Sequence, residues 1–286
     1  MQYDNSTGTK IMRTPVIVTF ANQKGGVGKT TLCIAFANYL FSKGVRVMVI
    51  DCDFQHSIVK RRKADIQEYG DVKIPYEVIS AGSMKDEEMA SMIEKLYNDP
   101  SIELVLIDSA GSLTTPGLAT LLVNTDVMVT PFHYDNLTSP STLAFLILLK
   151  KLRARAGERM KTKVFVVPNN TDARVGKAME KEAWKITRKK FSEYGEVTEA
   201  ISWRASMLRV STVGELDRQF PVTKPVFDTV YSFIFGSVDP LREVILTGIQ
   251  LSQYCDELEK QKKKALRDRQ KKMREEMLNR EEADSN

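Results

Sequence analysis

A glycine-rich loop between two apolar segments constrains this chain more than any other feature of its sequence. The segment PVIVTF (15–20) is continuously apolar and rich in β-branched residues, which is typical of a buried parallel strand. The loop ANQKGGVGKTT (21–31) follows, and the apolar residues after it recur at helical spacing up to Gly44. Strand, glycine loop and helix in this order predict a phosphate-binding loop, whose backbone N–H groups cradle a triphosphate at a helix N-terminus.

The loop departs at one place from the commonest phosphate-binding pattern, G-x-x-x-x-G-K-[ST]. The first glycine of that pattern falls on Gln23, and a second lysine, Lys24, stands beside it. Lys29 is expected to reach the β- and γ-phosphates, and the Thr30 hydroxyl is expected to bind Mg²⁺. We therefore predict that the nucleotide is held by one continuous run of residues: Lys24, Gly25, Gly26, Val27, Gly28, Lys29, Thr30 and Thr31.

Strands and helices alternate along the remainder of the chain. We predict strands at 45–51, 75–80, 102–109, 126–132, 163–169 and 197–202, and helices at 85–98, 115–125, 139–157 and 177–195. An apolar-periodic helix is also expected from 239, running into a charged C-terminal segment. Alternation at this spacing predicts an α/β fold: a mostly parallel twisted sheet with helices on both faces, followed by a C-terminal helical extension.

Polar residues follow three of these predicted strands. Asp51 and Asp53 leave the end of one strand, and their spacing of two directs both carboxylates the same way in an extended segment. Asp108 ends an apolar strand, where an unpartnered carboxylate would be costly, so a Mg²⁺-bound water is a natural partner. The alternatives are a strand-end turn cap for Asp51 and Asp53 and a helix cap for Asp108. Asn169 and Asn170 follow a later strand and either read an adenine amino group or form a plain turn.

Composition excludes several classes of protein. No apolar run reaches the ~20 residues that a membrane-spanning helix needs, and the first residues lack the apolar region of an export signal. The cysteines, Cys33, Cys52 and Cys255, are scattered and form no CxxC pair, which argues against a zinc site or a disulfide framework. A cytoplasmic location is expected.

The basic charge is concentrated near the C-terminus. Between Lys260 and Arg274 nine Lys or Arg accompany one Asp, a local charge of +8, which leaves −3 for the remainder of a chain whose total is +5. Such an arm favours contact with nucleic-acid phosphates. The alternatives are a solvated charged helix, a protein contact and an anionic membrane, and the few apolar residues of the arm disfavour the membrane. The predicted phosphate contacts are Lys262, Lys263, Lys264 and Arg267.

The run KGGVGKTT resembles the deviant Walker A loop, K-G-G-x-G-K-[ST]-T, of the ParA/MinD family of ATPases, and specifically its ParA-like branch. The segment VIDCDFQHS is similar to the family segment after the second strand, ELVLIDSAG to its Walker B strand, and PNNTDAR to the segment that faces the base. The resemblance covers an ATPase domain at 15–255. The polar residues 1–14 are expected to form a flexible N-terminus, and the charged, basic helical extension at 256–286 lies beyond the usual end of the family. Phe54 in place of a proline, and Ala110–Gly111 in place of a proline pair, are departures that bear on hydrolysis rather than on binding.

The resemblance also implies individual roles. Lys24 corresponds to the signature lysine, which reaches across a nucleotide-sandwiched homodimer to the phosphates bound by the partner. Asp53 would position the attacking water, which makes Lys24, Lys29 and Asp53 the catalytic set. Asp51 would support the magnesium shell together with Thr30 and Asp108. Arg204 and Arg209 lie where ParA-type dimers present DNA-binding arginines.

The implied function is slow ATP hydrolysis by a homodimer that binds DNA nonspecifically, with ATP and Mg²⁺ as cofactors. A ParB-like or conjugation partner protein would stimulate turnover, and the cycle would move or position DNA or another cargo, for example for a plasmid or conjugative element. Nucleoid association would follow. The alternatives are a MinD-like membrane-cycling regulator and a weakly hydrolysing, ATP-dependent scaffold. An iron–sulfur role like that of the related nitrogenase iron protein is rejected, because no cluster-ligand cysteine follows the Walker B strand.

Overall fold

Seven parallel strands form the centre of the structure, a computed structural model that describes residues 15–70, 73–82, 84–135, 138–172, 178–214 and 219–237. The strands are β1 (Val16–Phe20), β2 (Val47–Asp51), β3 (Glu77–Ser80), β4 (Leu104–Asp108), β5 (Val127–Phe132), β6 (Lys163–Pro168) and β7 (Glu196–Val197). Their order is β3-β2-β4-β1-β5-β6-β7, and each neighbouring pair is parallel. The predicted parallel sheet is confirmed.

Helices cover both faces of this sheet. They are α1 (Lys29–Ser42), α2 (Ser57–Tyr69), α3 (Asp86–Tyr97), α4 (Leu118–Val123), α5 (Thr138–Ala156), α6 (Ala178–Phe191) and α7 (Phe220–Ser237). Buried residues of α1, α2 and α7 form one apolar core with one face of the sheet. Those of α3, α4, α5 and α6 form a second core on the other face. In the part of the chain that the structure describes, none of the helices is long and apolar enough to cross a bilayer.

The structure differs from the sequence prediction at three elements. Strand β7 has two residues, although the chain beyond it still follows the end of β6, with Thr198 N–H donating to the Val166 carbonyl at 3.1 Å and Ile201 N–H to Pro168 at 2.8 Å. Helices α2 and α7 are absent from the predicted elements. The buried positions of α2 include a charged pair, which hides its apolar period, and α7 carries Pro225 in its interior.

A buried polar network explains how α2 is held. Arg62 donates to the Thr212 hydroxyl at 2.8 Å and to the Tyr76 carbonyl at 2.7 Å, while Asp65 accepts from the Thr212 hydroxyl at 2.7 Å. The Asn38 amide of α1 donates to the Ser211 carbonyl at 2.8 Å. Buried charges need such partners, and this network fixes the segment that follows the short 3-10 helix Ala205–Arg209.

The predicted helix from 239 and the extension at 256–286 lie outside the described residues. The same holds for the predicted N-terminus at 1–14 and for the phosphate contacts predicted at Lys262, Lys263, Lys264 and Arg267.

Candidate nucleotide site

The glycine loop joins β1 to α1 at the carboxyl edge of the sheet, next to the ends of β4 and β5, and β2 lies one strand beyond β4. This is the edge at which α/β folds bind ligands. Asn22 anchors the start of the loop: its amide donates to the Pro131 carbonyl and to the Thr142 hydroxyl, both at 2.8 Å, and its oxygen accepts from the Lys24 N–H at 3.2 Å. No local pattern in the sequence identifies Asn22 as a support of the site, because these two amide acceptors lie more than one hundred residues away.

Two glycines in the loop have backbone conformations that other residues rarely adopt. Gly26 has φ 77° and Gly28 has φ 100°. A Cβ on Gly28 would lie 2.3 Å from Nδ2 of Asn169, whose amide donates to the Val27 carbonyl at 2.9 Å. Asn169 is buried, and one N–H of its amide is used in holding the loop.

Asn170 lies in a different environment from Asn169. It is exposed, has φ 54°, and places Nδ2 at 3.2 Å from Nε2 of His133. Of the two asparagines, Asn170 therefore has the amide that a ligand at the carboxyl edge can reach without disturbing the loop. A contact of either residue with adenine stays a prediction.

Lys29 lies buried behind the loop. Its Nζ donates to the Lys24 carbonyl at 3.4 Å. Burial lowers the pKa of the Lys29 ammonium, while the nearby Asp108 and Asp53 carboxylates raise it. A Cβ on Gly111 would lie 3.6 Å from the same Nζ, so the loop after β4 runs close beside this lysine. The Lys29 ammonium is already buried away from water and held in place. Its electrostatic contact with a phosphate in the loop would therefore be stronger than that of an exposed lysine.

Asp108 and Thr30 form the second half of the site. The Thr30 hydroxyl donates to Oδ2 of Asp108 at 2.6 Å. The other oxygen, Oδ1, is buried and has no hydrogen-bond partner among the described residues. Burial raises the pKa of Asp108 to about 7, against the opposing effects of the Thr30 hydroxyl and Lys29. A free carboxylate oxygen beside a threonine hydroxyl fits a hard, oxygen-preferring cation such as Mg²⁺.

Asp51 and Asp53 are positioned by their own turn. Oδ1 of Asp51 accepts from the Asp53 N–H at 3.2 Å, and Oδ2 accepts from Ile58 and Val59 N–H groups at 2.9 and 3.3 Å. Asp51 is thus buried as the N-terminal anchor of α2. Asp53 is half-buried, and its Oδ1 accepts from the Gln55 N–H at 2.9 Å. Oδ1 of Asp51 accepts one hydrogen bond and keeps a second lone pair, so the expected support of a magnesium shell by Asp51 stays a prediction.

Replacing Asp108 by Asn should stabilise the nucleotide-free, Mg²⁺-free protein more at pH 8 than at pH 5. The folded chain keeps the Asp108 proton up to a pKa of about 7, whereas the ordinary pKa is 3.8. The folded state therefore binds more protons between these values, and its free energy of unfolding falls as the pH rises through this window. The neutral amide removes this loss, which amounts to about 2–3 kcal/mol between pH 5 and 8. Urea unfolding at both pH values measures it.

The matched control is Asp86→Asn, since Asp86 also accepts a bond from a threonine hydroxyl, that of Thr120. An Asp108→Asn variant whose stability relative to the parent is the same at pH 5 and pH 8 would show that the buried carboxyl is ionised throughout.

A comparison with known families shows which family this chain belongs to. The sequence profile of the CobQ/CobB/MinD/ParA nucleotide-binding domain matches residues 18–268, which include the loop, Asp53, Asp108 and Asn169. The chain belongs to this family. The resemblance to ParA/MinD ATPases seen in the sequence is therefore confirmed.

Solved structures with the same fold come from the ParA/MinD group. A plasmid partition protein of Borrelia burgdorferi bound to AMPPNP matches with a TM-score of 0.60 and 20% identity, over 79% of this chain and 100% of that one. The MinC:MinD cell division complex of Aquifex aeolicus matches with a TM-score of 0.56 and 17% identity, over 80% and 100% of the two chains. At such identities the likeness shows the fold.

A sequence relative outside these structures is an uncharacterized protein of Methanocaldococcus jannaschii. It is 36% identical over 84 residues, which are 28% of this chain and 31% of that protein. The chain therefore spans about a third of the length of this relative, and the match carries no argument about activity.

Proposed function

We propose that this protein is a ParA-like ATPase that binds Mg²⁺–ATP, dimerises around it and hydrolyses it slowly. The observation that carries the proposal is the arrangement behind the loop: the dehydrated Lys29 ammonium, the Thr30–Asp108 pair with one free carboxylate oxygen, and the half-buried Asp53 at the rim. Cation, metal ligands and a carboxylate near the attacking water are the parts that phosphoryl transfer requires.

The residues of the chain divide this work among them. The loop N–H groups and Lys29 hold the β- and γ-phosphates and stabilise charge that develops on them. Thr30 and Asp108 would hold Mg²⁺, which when bound neutralises phosphate charge. Asp53 orients the attacking water. Phe54 follows Asp53 and is 58% exposed, so its side chain is available to solvent or to a partner subunit.

The position of Lys24 supports the proposed dimer. This lysine lies at the carboxyl edge and is only half-buried, so its side chain is available to phosphates held by a second copy. Trp203 follows the end of β6 at the same edge and is 44% exposed, and Leu208 of the nearby 3-10 helix is 78% exposed. Apolar side chains in such positions support association of two protomers through this edge.

DNA binding is proposed through cations that dimerisation brings together. Arg204 precedes the 3-10 helix and Arg209 is its last residue, and both are exposed. Lys262, Lys263, Lys264 and Arg267 of the C-terminal arm would add phosphate contacts. Partition or positioning of DNA or cargo, for a plasmid or conjugative element, is the use that fits a partition protein among the structural relatives. MinD in the related complex is joined to MinC, and we propose a ParB-like or conjugation partner here.

Duplex DNA binding measured by fluorescence anisotropy, with the oligomeric state read by light scattering, tests this function. ATP and Mg²⁺ should convert the monomer to a dimer and tighten DNA binding with little sequence preference. Replacing Arg204 and Arg209 together by Ala should weaken binding by the ATP-loaded dimer. The slope of log affinity against log salt should flatten by about 0.9 for each phosphate that the variant no longer neutralises. Deleting 260–286 should act in the same direction without changing ATP affinity.

The control for the arginine pair is Lys63→Ala with Lys95→Ala, which removes two exposed cations from α2 and α3. An ATP-bound dimer that does not bind duplex DNA at low salt would overturn the DNA-cycling function in favour of an ATP-dependent scaffold. ATP-dependent sedimentation with anionic liposomes instead would favour a membrane-cycling regulator.

A further inference from the structure

A second basic surface lies at the opposite edge of the sheet from the nucleotide site. The segment 150–161 contains six Lys or Arg and one Glu, a local charge of +5. Because the chain outside the C-terminal basic arm carries −3, the remainder without this segment carries −8. The amino-edge basic surface, as we call it, consists of exposed side chains from the ends of α5 and α6 and the turn before β6: Lys150, Lys151, Arg155, Lys161, Lys189 and Lys190.

The fold brings these residues together. Helix α5 ends at Ala156 before β6 begins, and α6 ends at Phe191 before β7 begins, so both helix ends lie at the amino edge of two neighbouring strands. The ammonium of Lys150 on α5 lies 5.3 Å from the ring centroid of Tyr194, just beyond α6. Leu149 and Phe191 share one buried core, which fixes the two helices relative to each other.

Several cations of the amino-edge basic surface are not engaged in ion pairs with described residues. Nearby, Lys163 pairs with Glu196 at 2.7 Å, but Lys151, Arg155 and Lys190 form no ion pair with any carboxylate of the described residues. Cations complement the partial negative charge of a helix C-terminus, but that effect is limited to the last turn. The helix-terminus effect does not account for Lys161, which belongs to neither helix.

The spacing suits a nucleic-acid backbone. Lys151 and Arg155 are one helical turn apart, ~6 Å along α5 at 1.5 Å per residue. Duplex DNA carries one phosphate per ~3.4 Å of each strand, so such a pair spans about two phosphates. Two exposed apolar residues, Ile147 on α5 and Ile186 on α6, lie about one turn before the lysines of this surface on those helices. Two separate residues are less than the continuous apolar face that holds an amphipathic helix in a bilayer.

We propose that the amino-edge basic surface binds the phosphate backbone of duplex DNA. This inference deepens the proposed DNA binding and rests on it. Because the surface faces away from the nucleotide site, one protomer would contact DNA without ATP. Dimerisation through the carboxyl edge would leave both copies of the surface free and link them, which raises the overall affinity through effective concentration without any new contact.

The test uses full-length protein carrying Lys151→Glu, Arg155→Glu and Lys190→Glu together. The matched control is Lys63→Glu, Lys73→Glu and Lys95→Glu, which changes the net charge equally at exposed positions on other elements. Affinity for a fluorescent duplex is measured without nucleotide by anisotropy, at salt concentrations from about 50 to about 200 mM, with circular dichroism as the check of folding. The first triple variant should bind at least about tenfold more weakly than the control, with a salt slope smaller by about 2.7, or about 0.9 for each of three contacts.

Equal decreases of affinity in the two triple variants would overturn the proposal, because net charge alone would then explain them. It would equally be overturned if the first variant kept its affinity for DNA but no longer bound phosphatidylserine vesicles, which would make the occupant a membrane. Failure of the proposed function is separately visible: in that case ATP neither dimerises the parent nor tightens its DNA binding, whatever the nucleotide-free affinity is.

Discussion

Replacing Lys29 by Ala is expected to abolish ATP binding in practice. The ammonium is buried and lies at the base of the phosphate loop, near the Asp108 and Asp53 carboxylates. Its removal takes away the phosphate contact and leaves buried negative charge uncompensated. Truncating one member of a buried charged contact typically costs about 2–5 kcal/mol, or about 30-fold to a few thousandfold in affinity. Titration calorimetry with ATP and Mg²⁺ measures the decrease.

Lys24→Ala is the informative companion, because Lys24 is half-buried and its backbone carbonyl, not its side chain, contacts Lys29. This variant should keep measurable ATP affinity as a monomer and should no longer dimerise with ATP in size-exclusion chromatography. Equal decreases of nucleotide affinity in the two variants would show that Lys24 acts within its own protomer rather than across a dimer.

Replacing Asp53 by Ala is expected to trap an ATP-bound dimer. The hydrogen bonds of Lys29 and of the Thr30–Asp108 pair do not involve the Asp53 side chain, which accepts a hydrogen bond from the Gln55 N–H at 2.9 Å. The variant should therefore bind ATP like the parent, while the attacking water is deprived of the group that orients it. Removing such a group commonly lowers the rate by ~10²-fold or more. Phosphate release and light scattering with ATP and Mg²⁺ measure both effects.

Gln55→Ala serves as the control, since it keeps the backbone N–H that Asp53 contacts and alters only an exposed side chain of the same turn. An Asp53→Ala protein that hydrolyses ATP at the parent rate, or stays monomeric with ATP, would remove Asp53 from the mechanism.

Local patterns in the sequence were enough to predict the frame of this protein. Continuous apolar runs such as PVIVTF and IELVLIDS identify buried parallel strands, because a strand covered on both faces has no polar side. The KGGVGKTT run predicts the phosphate loop because glycine conformations and a lysine at the helix start belong to neighbouring residues. The sheet, the loop and the family follow from such short-range information, and all three are confirmed.

Contacts between distant parts of the chain decided what supports the site. Asn22 and Asn169 hold the loop through partners more than one hundred residues away. Helix α2 could not be predicted because Arg62 and Asp65 look like surface residues until Thr212 is placed against them.

The roles of the carboxylates and of the basic surface depended on the tertiary structure in the same way. Asp51 and Asp108 both end apolar strands in the sequence. In the structure Asp51 accepts hydrogen bonds from backbone N–H groups of its own turn and of α2, whereas Oδ1 of Asp108 is buried without a partner among the described residues. The charge of 150–161 can be counted in the sequence, but only the packing of α5 against α6 joins it to Lys189 and Lys190. A sequence pattern records the period of one segment, whereas the partner of a polar group is set by which segments the sheet order brings together.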